Sequence, residues 1–201
     1  MPPQAGVRRA QTRSRLLAAA LDVFAERGYA GATIEQLVDR AGFTRGAFYS
    51  SFSTKEEVVL ALLDKHSDTQ LGRVRELVDA AAPGDALAVA AATAAEVTPD
   101  DLRWFLVSSE FTLLAVRDRQ VAARLAVHDA AVRAAVARLL AAALHRSGRV
   151  PVVPLTDLAS VVVALREGAL MQACVDPEAV PPGHLERMFL PLLIAAGTAP
   201  A

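Results

Sequence analysis

The stretch Thr44-Arg45-Gly46-Ala47-Phe48-Tyr49-Ser50-Ser51-Phe52-Ser53-Thr54-Lys55-Glu56 gathers side chains whose types and spacing suit binding rather than catalysis. Phe48 and Phe52 stand four apart, so on a helix they share a face and bury together. Gly46, Ala47 and Ser50 fall roughly opposite and leave a surface with little bulk, flanked by Arg45 and Tyr49. A short helix with an aromatic anchor beneath and small polar groups above suits insertion into a DNA major groove. Ser53 or Thr54 then caps another helix and puts Lys55 in its first turn. A cation there opposes the helix dipole and is better placed facing an anion such as a phosphate. Taken alone, the segment fits an ordinary surface helix equally well.

The elements that must position this segment are short helices with strong end signals. Gly42 suits a helix stop and Thr44 a helix start. Upstream, Thr33-Ile34-Glu35-Gln36 reads as a capping box for a helix that runs to about Ala41 and buries Leu37 and Val38. Before it, Thr12 or Ser14 caps a helix to about Arg27, with Leu16, Leu17, Ala20, Leu21 and Phe24 as its buried stripe. Gly28-Tyr29-Ala30-Gly31 ends that helix. Three short helices with a tight turn between the second and third make a helix-turn-helix. Residues 1–10 read as a mobile arm whose arginines either touch phosphate or a minor groove, or belong to a disordered tail.

From Leu16 to Glu57 the chain resembles the DNA-binding domain of the TetR family of transcriptional regulators. The resemblance rests on Leu16-Leu17 with Ala19-Ala20, Phe24-Ala25-Glu26-Arg27-Gly28-Tyr29, Thr33 and Ala41-Gly42. It continues through Thr44, Gly46, Phe48-Tyr49, Phe52 and Lys55-Glu56. Leu37-Val38 and Phe43 depart from the family pattern, and they concern packing. The resemblance implies that Thr33, Tyr49 and Lys55 hold the DNA backbone, a contact that carries no sequence information. It also implies that Arg45, Gly46, Ala47, Ser50 and Ser51 lie where base edges are read, with Thr44 among the DNA contacts. Arg45 could bind guanine O6 and N7 with two bonds, or a phosphate, and Tyr49 could instead be a core tyrosine. Glu35 reads as a capping or salt-bridge residue.

The rest of the chain continues as helices. A fourth runs from Glu56 to about Ala80, and Pro83-Gly84-Asp85 marks the clearest boundary. Further helices are expected over about 85–96, from Asp100 or Asp101 to Val116, over 119–145, from Thr156 or Asp157 to Cys174, and over 184–196. Residues 147–154 read as a loop. The fold class is therefore all-α, with domains expected at 1–57 (arm 1–10) and 84–201, joined by a linking helix 58–83. The second half also resembles the family, which implies a helical ligand-binding domain and a homodimer built on the last two long helices. The expected interface is Leu158, Val161, Val162, Leu165, Gly168, Leu170, Met188, Phe189, Leu192 and Leu193. Trp104, Phe105, Phe111, His128, Arg166 and Met171 either line a pocket for a mostly apolar effector or fill the core.

Composition narrows the function classes. Of 201 residues 53% are hydrophobic, and glycine and proline number 11 each, which favours helix. Mean hydropathy is +0.32, yet the longest uncharged candidate, Met188 to Ala201, is interrupted by Pro191 and Pro200. No membrane span and no signal peptide are therefore expected, and Cys174, the single cysteine, fits a reducing cytoplasm. Residues 1–55 hold eight Lys/Arg against four Asp/Glu, a balance of +4, whereas the remainder holds 13 against 18, or −5. A basic end on an acidic body fits a DNA-reading segment attached to something else. Four scattered histidines, with no paired cysteines and no phosphate-binding loop, point to no enzyme, no metal and no cofactor. The expected function is a ligand-responsive homodimeric repressor on a palindromic operator in double-stranded DNA. An activator of the same fold, or a helical enzyme or carrier, are the alternatives.

Overall fold

A computed structural model describes residues 4–201, without the side chains of residues 4–6 and 8; residues 1–3 of the expected arm lie outside the described residues. The element order is α1 (Gln4–Gly31), α2 (Ile34–Ala41), α3 (Arg45–Tyr49), α4 (Lys55–Ala80), α5 (Ala86–Ala94), α6 (Pro99–Arg117) and α7 (Arg119–Arg146). Then come β1 (Arg149–Pro151), α8 (Leu155–Val175), α9 (His184–Ala196) and β2 (Thr198–Pro200). Packing divides the chain into two compact units. One comprises the chain up to His66 with Arg103–His128, and the other Ser67–Leu102 with Asp129–Ala201. The division falls inside helices and not at residue 57, because Val107 and Phe111 of α6 belong to the first unit's core.

In the first unit the apolar stripe of α1 (Leu16, Ala20, Val23, Phe24) meets Leu37 and Val38 of α2, Phe48, Phe52, and Val58, Val59 and Leu62 of α4. Phe24, Phe48 and Phe111 are almost fully buried, each contributing about 1.5–3 kcal/mol relative to exposure. Helix α1 is longer than expected. It starts at Gln4, so residues 4–10 are helix and not a mobile arm. No breaker stands between Gly6 and Gly28, so Thr12 and Ser14 sit inside the helix and cap nothing. At Gly28 (φ 71°, ψ 163°) the helix is broken in a conformation only glycine adopts readily. A Cβ there would stand 2.9 Å from a carboxylate oxygen of Glu110 on α6. That carboxylate accepts the Tyr29 backbone N–H at 2.5 Å.

In the second unit Val78, Ala86, Leu87, Ala91, Ala143, Leu144, Leu190 and Ile194 form the core, with Leu140, Leu158 and Ala159 in a smaller cluster. Residues 147–154 are not wholly a loop: β1 pairs antiparallel with β2, Val150 opposite Ala199. The Arg149 guanidinium donates to the hydroxyl and carbonyl oxygens of Thr198 at 2.8 and 2.9 Å. Three-residue strands are too short to show periodicity. Helix α6 is capped not by Asp100 or Asp101 but by Thr98, whose hydroxyl accepts from the Asp101 N–H at 3.2 Å. Pro99 takes the first helical position, where its missing N–H costs nothing. Helix α8 starts after Pro154 with no side-chain cap, so neither Thr156 nor Asp157 fills that role.

Among the described residues, α8 alone is long and apolar enough by length and composition to cross a membrane. It nonetheless carries Asp157, Arg166 and Glu167, and buries Leu158, Ala159, Ala169, Leu170 and Ala173 within the unit. Of the expected interface residues, Leu158 and Leu170 are therefore spent on the chain's own core and present nothing outward. Val161, Met188, Phe189 and Leu192 are exposed, and Val162, Leu165, Gly168 and Leu193 are half-buried.

Candidate nucleic-acid interface

Helix α2 begins with the expected capping box. The Thr33 hydroxyl accepts from the Gln36 N–H at 3.3 Å, and the Gln36 side chain accepts from the Thr33 N–H at 3.0 Å. Gly42 ends it at φ 70°, a left-handed cap. Thr44 opens α3 by accepting from the Ala47 N–H at 3.3 Å. Phe48 and Phe52, with ring centroids 5.9 Å apart, hold α3 to the core from below. Arg45, Gly46, Tyr49 and Ser50 stay exposed on the outer side, with Ala47 half-buried and the Ser50 hydroxyl donating to the Ala47 carbonyl at 2.8 Å. The Arg45 guanidinium pairs with Glu35 at 2.9 Å. Tyr49 is half-exposed, its ring edge-on to Phe48, so it is not a core tyrosine.

Two expected contact residues stand differently. The Ser51 hydroxyl is buried and has no hydrogen-bond partner, so it faces inward and not toward base edges. The turn between α3 and α4 rotates it off the outer side of α3. The Lys55 ammonium donates to the carbonyls of Tyr29 and Ala32 at 2.8 and 2.7 Å and lies 4.5 Å from the Tyr29 ring centroid. It faces the carbonyl end of α1, where a cation meets the negative pole of that helix. One of its three donors remains for an outside acceptor. Burial lowers the Lys55 pKa, opposed by neighbouring Glu56. Burial would raise Glu56, but the Tyr29 hydroxyl, donating at 2.6 Å, and further bonds hold it below its ordinary value. The Tyr29 phenol is pushed well above its usual range by burial and by that carboxylate.

The contacts that the α1 arginines make within the chain escaped the sequence reading. Arg9 donates to the Ser50 carbonyl at 2.8 Å and Arg13 to the Ser51 carbonyl at 3.2 Å, with the Arg13 guanidinium 4.3 Å from the Phe52 ring centroid. Arg15 donates to the Ala41 carbonyl at 3.0 Å, closing the end of α2, and lies over Phe43. These cations satisfy carbonyls that the short helices leave without partners. Arg9 and Arg13 are four apart, so one face of a continuous helix presents both. Extending α1 upstream of Thr12 would have brought that pair into view.

The six candidate pocket residues are split. Trp104, Phe105, Phe111 and His128 belong to the first unit, Arg166 and Met171 to the second. Phe111 is core, edge-on to Tyr29, and Trp104 stacks on His66 at 4.5 Å. Phe105 is half-buried, and His128 Nδ1 lies 2.6 Å from an Asp64 carboxylate oxygen. Arg166 donates to the Ala94 carbonyl at 2.6 Å, and Met171 is exposed. A hollow of about 460 Å³ on the first unit is lined by Gln11, Thr12, Ser14, Arg15 and Phe43, none of them among the six.

Residues 16–62 match the family described as bacterial regulatory proteins, tetR family. Over 68 residues the chain is 41% identical to the HTH-type transcriptional activator FasR of Mycolicibacterium smegmatis, covering 34% of this chain and 31% of that protein. Over 113 residues it is 31% identical to the HTH-type transcriptional repressor KstR2 of Rhodococcus jostii, covering 51% and 55%. The chain thus matches about a third to a half of the length of these relatives. A crystal structure of a transcriptional regulator from Rhodococcus sp. Rha1 is similar along 92% of this chain and 94% of its own, with TM-score 0.68 and 26% identity.

Proposed function

We propose that this chain, which belongs to the TetR family of bacterial regulatory proteins through residues 16–62, is a sequence-specific DNA-binding transcriptional regulator. The observation that carries the reading is α3. It is bolted down by Phe48 and Phe52, tied at its C-terminal end by Arg9 and Arg13, and presents Arg45, Gly46, Tyr49 and Ser50 outward. In this reading Arg45 meets a guanine edge. Tyr49 and the hydroxyls of Thr33 and Thr44 meet phosphates, and the remaining donor of Lys55 adds to that grip.

One short helix spans few base pairs, so two copies related by a two-fold axis would read a palindromic operator. Exposed Val161, Met188, Phe189 and Leu192 on α8 and α9 are the apolar surface offered to the second copy. A small effector that prefers one arrangement of the dimer would shift the population away from the DNA-bound one. The chain acts by binding and not as an enzyme, inside the cytoplasm, and its default effect is repression. FasR is named an activator and KstR2 a repressor, so activation is the second reading. A mobility-shift titration with DNA upstream of the chain's own gene tests the function. The triple variant Arg45→Ala, Tyr49→Phe, Lys55→Ala is expected to lose the shift; retained affinity would refute the site. A promoter–reporter measurement with the gene deleted separates the two readings, since repression predicts raised expression and activation lowered expression.

A further inference from the structure

We propose that Glu35 is a positioning residue for sequence reading, its carboxylate holding the Arg45 guanidinium toward a base edge and away from the phosphates. The inference rests on the DNA-reading function proposed above. Glu35 stands in the first turn of α2 and Arg45 is the first residue of α3, so their 2.9 Å pair bridges the starts of the two helices across the turn. Both side chains are more than half exposed, 52% and 61%, and neither is needed to fill the core. An arginine has five N–H donors in a planar fork, so the single carboxylate partner restrains the guanidinium and leaves donors for guanine O6 and N7.

The neighbouring cations show why this matters. Arg9, Arg13, Arg15 and Lys55 are committed to backbone carbonyls, and Arg40 to Glu26 at 2.7 Å. Arg45 is the long donor left on the outer side of α3, so discrimination depends on where its fork points. Without a carboxylate beside it, an exposed arginine near DNA takes the nearest phosphate, a contact blind to sequence. Glu35 opposes that outcome twice, by orienting the fork and by placing a negative charge where a phosphate would approach.

The test uses the full chain. A random-sequence duplex pool is enriched with the wild type, and affinities are measured for the top duplex and for a scrambled duplex of equal length over a salt series. Glu35→Gln, Arg45→Ala and the double variant are compared with the wild type. Glu35→Gln is expected to lower the ratio of specific to scrambled affinity about fivefold, the upper end for an exposed ion pair. It is also expected to steepen the salt dependence on scrambled DNA by about 0.9 in log–log slope per subunit, as Arg45 gains a phosphate. In the Arg45→Ala background it is expected to leave the ratio unchanged. A change of both affinities by one common factor would make Glu35 a plain charge and overturn the proposal. So would losses that multiply in the double variant, which would make Glu35 an independent contact. A lowered melting temperature in Glu35→Gln, with no change in ratio, would assign it to the fold. A wild type that enriches no sequence would overturn the DNA-reading function itself, a result distinct from enrichment with unaltered discrimination.

Discussion

Replacing Lys55 with methionine keeps the length of the side chain and removes its charge and its donors. The carbonyls of Tyr29 and Ala32, which it bonds at 2.8 and 2.7 Å, then lose their ammonium partner, and the end of α1 loses a cation. Hydrogen bonds to a charged group contribute about 1.5–3 kcal/mol each. Lys55 is only partly buried, so water replaces some of the loss, and about 2–3 kcal/mol for the pair is expected. For a chain of 201 residues that corresponds to a fall in Tm of about 4–12 °C. Thermal unfolding followed by circular dichroism, without DNA, measures it directly. Lys55→Arg, which keeps the charge and several donors, should recover part of the loss. A melting temperature for Lys55→Met within about 1 °C of wild type would refute the capping role and return Lys55 to a residue waiting for a phosphate.

Gly28→Ala should destabilise the first unit by several kcal/mol, because φ 71° is costly for alanine and its Cβ would press on Glu110; chemical denaturation would show it as a lowered midpoint. Tyr29 carries a pH signature. Its folded pKa lies above the ordinary value of 10.0, so its contribution is fully present below that pH and is lost as pH rises through the range above it. Wild-type stability should therefore fall more steeply than that of Tyr29→Phe above about pH 10, as seen by urea unfolding at stepped pH. Leu192→Asp on the exposed side of α9 should convert the proposed dimer to a monomer in sedimentation without lowering helix content. Arg166→Met removes the guanidinium 3.4 Å from buried Asp101 and 3.8 Å from buried Glu186. Asp101 keeps its bonds from Gln70 and Thr98, but stranding the buried Glu186 carboxylate should cost about 3–5 kcal/mol in the same unfolding assay.

What could be read from the chain in advance was local. Thr33 and Gln36, Gly42, Thr44, and the Phe48–Phe52 pair all act within five residues of their partners, and each stands where its spacing placed it. The features that escaped join distant positions. Arg9 and Ser50 are 41 residues apart, Lys55 and Ala32 are 23, and nothing in the local pattern of either distinguishes a capping cation from a phosphate-binding one. Ser51 failed for a related reason, since its rotation is set by the α3–α4 turn and not by helical periodicity. The six residues proposed for a pocket share only their types, bulky apolar side chains with a few polar ones. Type alone does not separate Phe111, which fills a core, from Met171, which is exposed.

Footprinting of the full chain on DNA upstream of its own gene tests the central claim most directly. The account predicts two protected patches related by a two-fold axis, centred about 34–36 Å or a multiple of that apart. Guanine protection within each patch should disappear in Arg45→Ala while the fold, read by circular dichroism, is retained. Uniform protection at all sequences, or the same guanine protection with Arg45→Ala, would contradict it.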